Sequence, residues 1–233
     1  MTPSKTVGVI GGMGSAATAE FFRRLVVATP AATDQEHLHV LIDNDPGVPN
    51  RTDAILYGAP SPIPQLTAMA RRLEVAGADF LVMPCNTAHV YIGEIRASVS
   101  IPALDMVVET VAGIRQTSVG LLATDGTIRV SLYQSACGAR GIRVVLPQAE
   151  DQRSVVEAIA GIKRGEDPRR IGEELVPIVR QLERDGAEAI IAGCTEISLV
   201  DGADMPVEWI DALDRLVEAT VREAGRRHGK EVE

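Results

Sequence analysis

Short apolar runs alternate with longer amphipathic stretches along the 233 residues of this chain. The apolar runs have the length of buried strands, and the stretches between them carry the spacing of helices with one buried face. This alternation predicts an α/β fold with mostly parallel sheets. The predicted strands are residues 6–10, 39–43, 80–83, 103–106, 119–123, 142–146 and 189–192. The predicted helices are residues 16–27, 64–76, 92–98, 128–139, 154–164, 171–185 and 211–227.

The second half of the chain repeats the pattern of the first half. Residues 77–87 align without a gap with residues 186–196, and residues 7–15 align with residues 119–127. The two offsets are nearly equal, so whole half-chains correspond, which is the mark of an internal duplication. We therefore expect two similar α/β lobes, the first starting at residue 1 and the second near Ile101.

Composition and charge exclude several classes of partner. Aromatic residues make up only 3% of the chain, so the core must consist of small and branched aliphatic residues, as in parallel sheets covered by helices. The formal net charge is −9, and a protein that neutralises phosphates needs a basic face, so we expect no nucleic-acid partner. No apolar run approaches the ~20 residues of a membrane span, and we expect no membrane partner.

The cysteines bear on the cellular location. Three cysteines lie far apart in the chain, and the N-terminal residues run directly into the first predicted strand without the apolar segment of a signal peptide. Free thiols are typical of a reducing cytosol, so we expect a cytoplasmic protein.

Two of these cysteines, Cys85 and Cys194, occupy equivalent positions in the repeat. Each follows a predicted strand and precedes a predicted helix, a place where α/β proteins bind ligands and where a helix N-terminus lowers a thiol pKa. Two acid/base thiols on opposite faces of a substrate can remove and replace a proton, which inverts a stereocentre. Cys137 has no repeat partner and is predicted to be a core residue. The four histidines show no metal-ligand spacing, so a metal site is disfavoured.

A set of motifs is spread along nearly the whole chain: Gly11-Gly12-Met13-Gly14-Ser15, Asn44-Asp45-Pro46, Pro49-Asn50-Arg51-Thr52, Pro84-Cys85-Asn86-Thr87-Ala88-His89, Gly120-Leu121-Leu122-Ala123-Thr124, Gly126-Thr127 and Gly193-Cys194-Thr195-Glu196. Together these motifs resemble the aspartate/glutamate racemase superfamily, and within it the aspartate racemase branch. Glutamate racemases usually open with Asp-Ser-Gly where this chain has Gly-Gly-Met-Gly.

The resemblance implies two flavodoxin-like lobes with the active site in the cleft between them, two catalytic cysteines, no pyridoxal phosphate and a homodimer. It also implies that the C-terminal helix packs back on the first lobe. We therefore expect a first lobe formed by residues 1–100 plus 210–233 and a second lobe formed by residues 101–209. The expected activity is that of an isomerase that interconverts L- and D-aspartate, or glutamate or a related acidic amino acid, without a cofactor.

The resemblance also assigns substrate contacts. Arg51 matches an arginine that binds a substrate carboxylate. The local sequence alone fits a solvated loop arginine equally well. Lys163 lies where aspartate racemases carry a second cation, and a charged helix end is the alternative. Asn50 departs from the family, in which many members have Asp, and His89 has either an orienting or a structural role. The expected substrate-binding residues are Met13, Arg51, Asn86, Thr87, Thr124, Thr127, Lys163, Thr195 and Glu196.

Three other functions compete with racemisation. Residues 12–17 fit the G-x-G-x-x-A pattern of dinucleotide-binding oxidoreductases, but the nearest acidic residue that ends a strand, Asp43, comes later than that fingerprint requires. A protein that only binds an amino acid needs the polar loops without both thiols. An isomerase or decarboxylase of another small dicarboxylate also fits the superfamily.

Overall fold

The structure, a computed structural model, describes residues 4–225. In that range the strands β1 to β7 are Val7–Gly11, Val40–Asn44, Phe80–Val82, Ser118–Leu122, Arg143–Val145, Ala189–Ala192 and Glu208–Asp211. The helices α1 to α10 are Ser15–Ala28, Arg51–Tyr57, Ile63–Val75, Ile92–Ser98, Met106–Ala112, Asp125–Arg129, Leu132–Gly138, Ala149–Lys163, Pro168–Arg184 and Ala212–Glu223. Short 3₁₀ helices are Asp34–Glu36, Thr87–Tyr91, Ile197–Leu199 and Gly202–Asp204. The strands and helices confirm the predicted α/β class.

The strands form two separate parallel sheets that repeat one another. The first has the order β2-β1-β3, and the second has the order β5-β4-β6-β7. A bridge between Leu81 and Ala103 extends the first sheet beyond β3, in the place that β7 takes beside β6. β1, β3, β4 and β6 are buried along their whole length, as strands covered by helices on both faces must be. The two sheets confirm the two lobes expected from the repeat.

Two helices cross between the lobes. α5 follows Ala103 of the first sheet but places Val107 and Val111 in a core cluster of the second lobe. α10 follows β7 of the second sheet but packs Leu213 and Leu216 with β1 and α1 of the first lobe. The boundaries at residues 100 and 210 stay a prediction. The first falls just before the bridge at Ala103, and the second falls within β7.

The structure differs from the predicted elements where a short-range signal interrupts the pattern. The predicted helix at 128–139 is split into α6 and α7, because Ser131 takes φ 54° in the left-handed region. The predicted strand at 103–106 is reduced to the bridge at Ala103, because the Asp105 side chain accepts hydrogen bonds from two amides and starts α5. β7 was not predicted, and residues 226 and 227 of the last predicted helix lie outside the described residues.

The lobes meet closely at one side of the cleft between them. α2 of the first lobe packs on α6 of the second lobe. A Cβ atom added to Gly126 of α6 would lie 3.0 Å from the Thr52 Cα atom of α2. Such an approach of two helix backbones requires a glycine, so this contact sets the distance between the lobes. Among the described residues, no helix is long and apolar enough to cross a membrane.

Candidate active site

A narrow cleft between the lobes contains both candidate catalytic cysteines. It lies at the carboxyl ends of the strands and has a cavity volume of about 20 Å³, and Cys85 and Cys194 both line it. The two residues are equally buried, with 5% of the surface of each exposed. Of the other expected site residues, all except Thr127 line this cleft, and Asn50 and Thr52 line it as well. Residues from both halves of the chain are therefore brought to one place.

The loop that carries Cys85 is fixed by a buried histidine. The His89 ring contacts the Cys85 carbonyl oxygen through Nδ1 at 2.8 Å, and the Met106 amide lies 3.1 Å from Nε2. A ring that accepts at Nε2 and donates at Nδ1 is neutral, and burial lowers the pKa of His89, which agrees with that form. His89 therefore joins the loop that carries Cys85 to the start of α5, which is the orienting role that the sequence left open.

The segments that directly follow the two cysteines are 3₁₀ helices, Thr87–Tyr91 and Ile197–Leu199. Neither helix has a side-chain cap at its start. A single 3₁₀ turn has a weak dipole because few peptide units are aligned. The predicted lowering of the thiol pKa is wrong for Cys194, whose pKa is raised well above its usual value.

The raised pKa of Cys194 has a visible cause. The thiol is buried, and burial opposes its charged form. The Glu196 carboxylate also lies beside it, with Oε2 3.0 Å from Sγ, and opposes a second negative charge there. Lys163 acts in the other direction, because its Nζ lies 3.7 Å from Glu196 Oε1. The thiol, the carboxylate and the ammonium thus form a connected row at one wall of the cleft.

Three threonine hydroxyls, one from the first lobe and two from the second, meet at the boundary between the lobes. Thr87 Oγ1 lies 3.0 Å from Thr124 Oγ1 and 2.9 Å from Thr127 Oγ1, and the last two lie 3.1 Å apart. Thr124 also caps α6, because its Oγ1 accepts from the Thr127 amide at 3.2 Å. Thr127 is fully buried behind the other two and reaches the cleft only through their hydroxyls. The cluster holds the Thr87 and Thr124 side chains at the cleft wall.

Asn86, next to Cys85, is oriented by a residue that the sequence did not single out. The Tyr133 hydroxyl donates to Asn86 Oδ1 at 2.5 Å, and both side chains are buried. The Asn86 amide nitrogen, Nδ2, is buried without a hydrogen-bond partner among the described residues. A buried tyrosine needs a partner for its hydroxyl, and this rule is the signal that could have led to Tyr133. The hydrogen bond leaves a donor of Asn86 available to a ligand in the cleft.

Arg51 presents one edge of its guanidinium group for binding. Nη1 donates to the backbone carbonyls of Val48 and Pro49, and Nη2 lies 3.5 Å from the Met13 carbonyl oxygen. Nε is buried without a partner in the described part of the chain. Nε and Nη2 share the edge that takes a carboxylate in a two-bond contact. Asn50 has a structural role, because its Oδ1 caps α2 by accepting hydrogen bonds from the Thr52 and Asp53 amides.

The described residues contain no group of three or more His, Cys, Asp or Glu that could hold a metal ion. The side chains that line the cleft supply two thiols, four hydroxyls, two amides, one carboxylate and two cations. These groups can move a proton through the thiols and can hold carboxylates through the cations and the amides.

Two parallel-sheet lobes with a cysteine from each in the cleft agree with the racemase resemblance of the sequence. The family model described as "Asp/Glu/Hydantoin racemase" matches residues 10–220, and the chain belongs to this family. The protein is an amino-acid racemase, and therefore an isomerase.

Similar proteins agree with this assignment. The broad-specificity amino-acid racemase RacX of Bacillus subtilis is 28% identical over 232 residues, which cover 92% of this chain and 96% of RacX. An aspartate racemase structure from Picrophilus torridus superposes with a TM-score of 0.86 at 31% identity and covers 97% of both chains. An aspartate racemase homologue from Pyrococcus horikoshii OT3 has a TM-score of 0.78 at 22% identity, covers 95% of this chain and 100% of that chain, and shows the shared fold.

Proposed function

We propose that this racemase interconverts the L and D forms of an acidic amino acid, with Cys85 and Cys194 as its acid/base groups and without a cofactor. The observation that carries the proposal is the placement of two equally buried thiols in one cleft, one from each lobe. A racemase must take a proton from one face of the α-carbon and deliver a proton to the other face. Two groups from two lobes can do so with small motions, whereas one group would have to travel around the substrate.

The proton transfers balance without a co-reactant. One cysteine, as thiolate, takes the α-proton and becomes a thiol, and the electron pair of the C–H bond moves into the substrate carboxylate. The other cysteine, as thiol, then gives its proton to the opposite face of the α-carbon and becomes a thiolate. In the reverse reaction the two residues exchange roles. The intermediate carries two negative charges on the carboxylate, so donors that face the carboxylate lower the barrier most.

The proposed donors come from both sides of the cleft. The Nε–Nη2 edge of Arg51, whose Nε has no partner among the described residues, is proposed to bind a substrate carboxylate, and the partnerless Asn86 Nδ2 is proposed to supply a further hydrogen bond. Lys163, half exposed at the end of α8, is proposed to take the second carboxylate, which an acidic substrate has and a neutral one lacks. Thr127 is proposed to act only by holding Thr87. The remaining proposed contacts are Met13, Thr87, Thr124, Thr195 and Glu196.

The test is racemisation in D₂O with no added pyridoxal phosphate. The enzyme is incubated with L-aspartate, L-glutamate and a panel of neutral amino acids. The enantiomers are separated by chiral chromatography, and their deuterium content is measured by mass spectrometry. We expect the D form of an acidic amino acid to accumulate with one deuterium at the α-carbon. A Cys137→Ser variant is the matched control, because Cys137 is buried outside the cleft. Absence of both inversion and deuteration across the panel would contradict the proposal.

We further propose a cytoplasmic homodimer. The three cysteines are free in the structure, and catalytic thiols persist in a reducing compartment. Light scattering coupled to size-exclusion chromatography tests the dimer, for which twice the 24.8 kDa chain mass is expected. A mass equal to one chain at micromolar concentration would contradict it.

A further inference from the structure

The two halves of the active site differ in charge, although the repeat makes them equivalent in position. The alignment that pairs Cys85 with Cys194 also pairs Thr87 with Glu196. Thr87 directs its neutral hydroxyl to the two threonines of the second lobe. Glu196 directs a carboxylate to the thiol of its own loop. The same place beside each cysteine therefore holds a neutral group in one half and an acidic group in the other.

The carboxylate lies within hydrogen-bonding distance of the Cys194 thiol. Glu196 Oε2 and Cys194 Sγ are 3.0 Å apart, and both residues are at most 5% exposed. A thiol donates a hydrogen bond to a carboxylate at this distance, whereas a thiolate there would face a like charge with little water between them. Glu196 and Lys163 are the charged groups that act on Cys194 in the described part of the chain. Lys163 is half exposed and contacts Glu196 at 3.7 Å, so it weakens the effect of the carboxylate without cancelling it.

Cys85 lacks a corresponding partner. Its Sγ makes no hydrogen bond to any residue between 4 and 225. The contact of His89 with this loop is made through the Cys85 carbonyl oxygen and not through the thiol. Since Cys85 and Cys194 are equally exposed, the difference between them lies in the neighbouring groups rather than in access.

We propose that Glu196 keeps the proton on Cys194 in the resting enzyme, so that Cys85 is the base and Cys194 is the acid of the first proton transfer. The proposal rests on the two-thiol racemisation proposed above. Turnover of one enantiomer starts from this resting form and leaves the proton on Cys85. Glu196 then favours the return of a proton to Cys194 through solvent, which restores the resting form. The two enantiomers thus start from enzyme forms of unequal population.

Alkylation with iodoacetamide, a neutral reagent that attacks thiolates, tests the assignment without use of the racemase reaction. The rate of modification at each cysteine is measured by mass spectrometry from pH 6 to pH 10. In the native enzyme we expect Cys85 to react at least ~10 times faster than Cys194 at neutral pH, since the thiolate fraction falls tenfold per pKa unit. Cys137, whose pKa burial raises to about 11, is the internal control for a buried thiol outside the cleft.

Removal of the carboxylate is the decisive variant. In Glu196→Gln we expect the Cys194 rate to rise by ~10-fold or more and its pH midpoint to fall, with the Cys85 rate unchanged. Glu196→Thr, which copies the residue of the first half, gives the same test if the amide variant folds poorly. Glu173→Gln on the exposed face of α9 is the control for loss of one charge far from the cleft.

The outcomes separate this proposal from the proposed function. Equal alkylation of Cys85 and Cys194 in the native enzyme, or an unchanged Cys194 rate in Glu196→Gln, overturns the proton assignment even if racemisation is observed. The expected alkylation pattern in a protein that racemises no amino acid supports the assignment and overturns only the proposed function.

Discussion

Substitution of Tyr133 by Phe removes one hydroxyl that holds Asn86 in its orientation. The hydrogen bond from Tyr133 to Asn86 Oδ1 is 2.5 Å long and buried, so its loss leaves an acceptor without a partner. Such a loss costs about 1–3 kcal/mol. Without this hydrogen bond the Asn86 amide can rotate, and Nδ2 then faces the cleft for only part of the time. Because 1.4 kcal/mol corresponds to a factor of ten in rate, we expect kcat to fall about 10- to 100-fold.

A double-mutant cycle distinguishes orientation of Asn86 from a general loss of stability. kcat and KM are measured for Tyr133→Phe, Asn86→Ala and the double variant. We expect the effect of Tyr133→Phe on kcat to disappear in the Asn86→Ala background, because the hydroxyl acts through that amide. Tyr57→Phe, on a residue that is 77% exposed, is the control and is expected to be neutral. A native kcat in Tyr133→Phe, or a full effect in the absence of the Asn86 amide, would refute this reasoning.

Three further substitutions test the packing around the site. Arg24→Ala leaves the buried Asp211 carboxylate without its partner at 2.6 Å, and we expect the free energy of unfolding, measured with urea, to fall by about 3 kcal/mol. The control, Arg23→Ala, removes a surface ion pair and is expected to have little effect. Gly126→Ala places a Cβ atom against Thr52 of α2. We expect kcat/KM to fall about tenfold and the melting temperature to fall, because such overpacking costs about 1–3 kcal/mol, more than alanine gains in the helix. His89 is neutral in the folded protein and binds a proton in the unfolded protein. The free energy of unfolding is therefore expected to fall as pH drops below the ordinary His pKa of 6.5, by up to about 1.4 kcal/mol per pH unit. His89→Gln is expected to remove this pH dependence.

Each of these expectations has an opposite outcome. Equal losses in Arg24→Ala and Arg23→Ala would show that the buried pair contributes no more than the surface pair. An active Gly126→Ala enzyme would show that the lobes do not need this close approach. An unchanged stability slope between pH 6.5 and 5.5 in His89→Gln would assign the slope to other groups.

The fold could be predicted from the sequence wherever a strand is buried on both faces. β1, β3, β4 and β6 are short, wholly apolar runs in the repeat, and they were predicted to within one or two residues. β7 was missed because only its last two residues are buried, so its pattern is not that of a core strand. The break at Ser131 was missed because a left-handed backbone at serine has no signal in the periodicity.

The residues of the candidate site could be predicted from the sequence more completely than their charges and orientations. The repeat identified Cys85 and Cys194 as candidate site residues, and both line one cleft in the structure. The pKa of Cys194 was predicted in the wrong direction, because burial and the contact with Glu196 depend on packing that no motif records. Tyr133 was missed for the same reason, since its hydroxyl meets Asn86 only after the two lobes assemble.

The central claim is that one thiol from each lobe moves the α-proton, and single cysteine variants test it most directly. Cys85→Ser and Cys194→Ser are assayed for the formation of the opposite enantiomer from the L and D substrates in D₂O. The account predicts that each variant loses racemisation in both directions, because a serine hydroxyl with its high pKa cannot replace a thiol as base, and that Cys137→Ser retains it. Full racemase activity in either Cys85→Ser or Cys194→Ser would contradict the account.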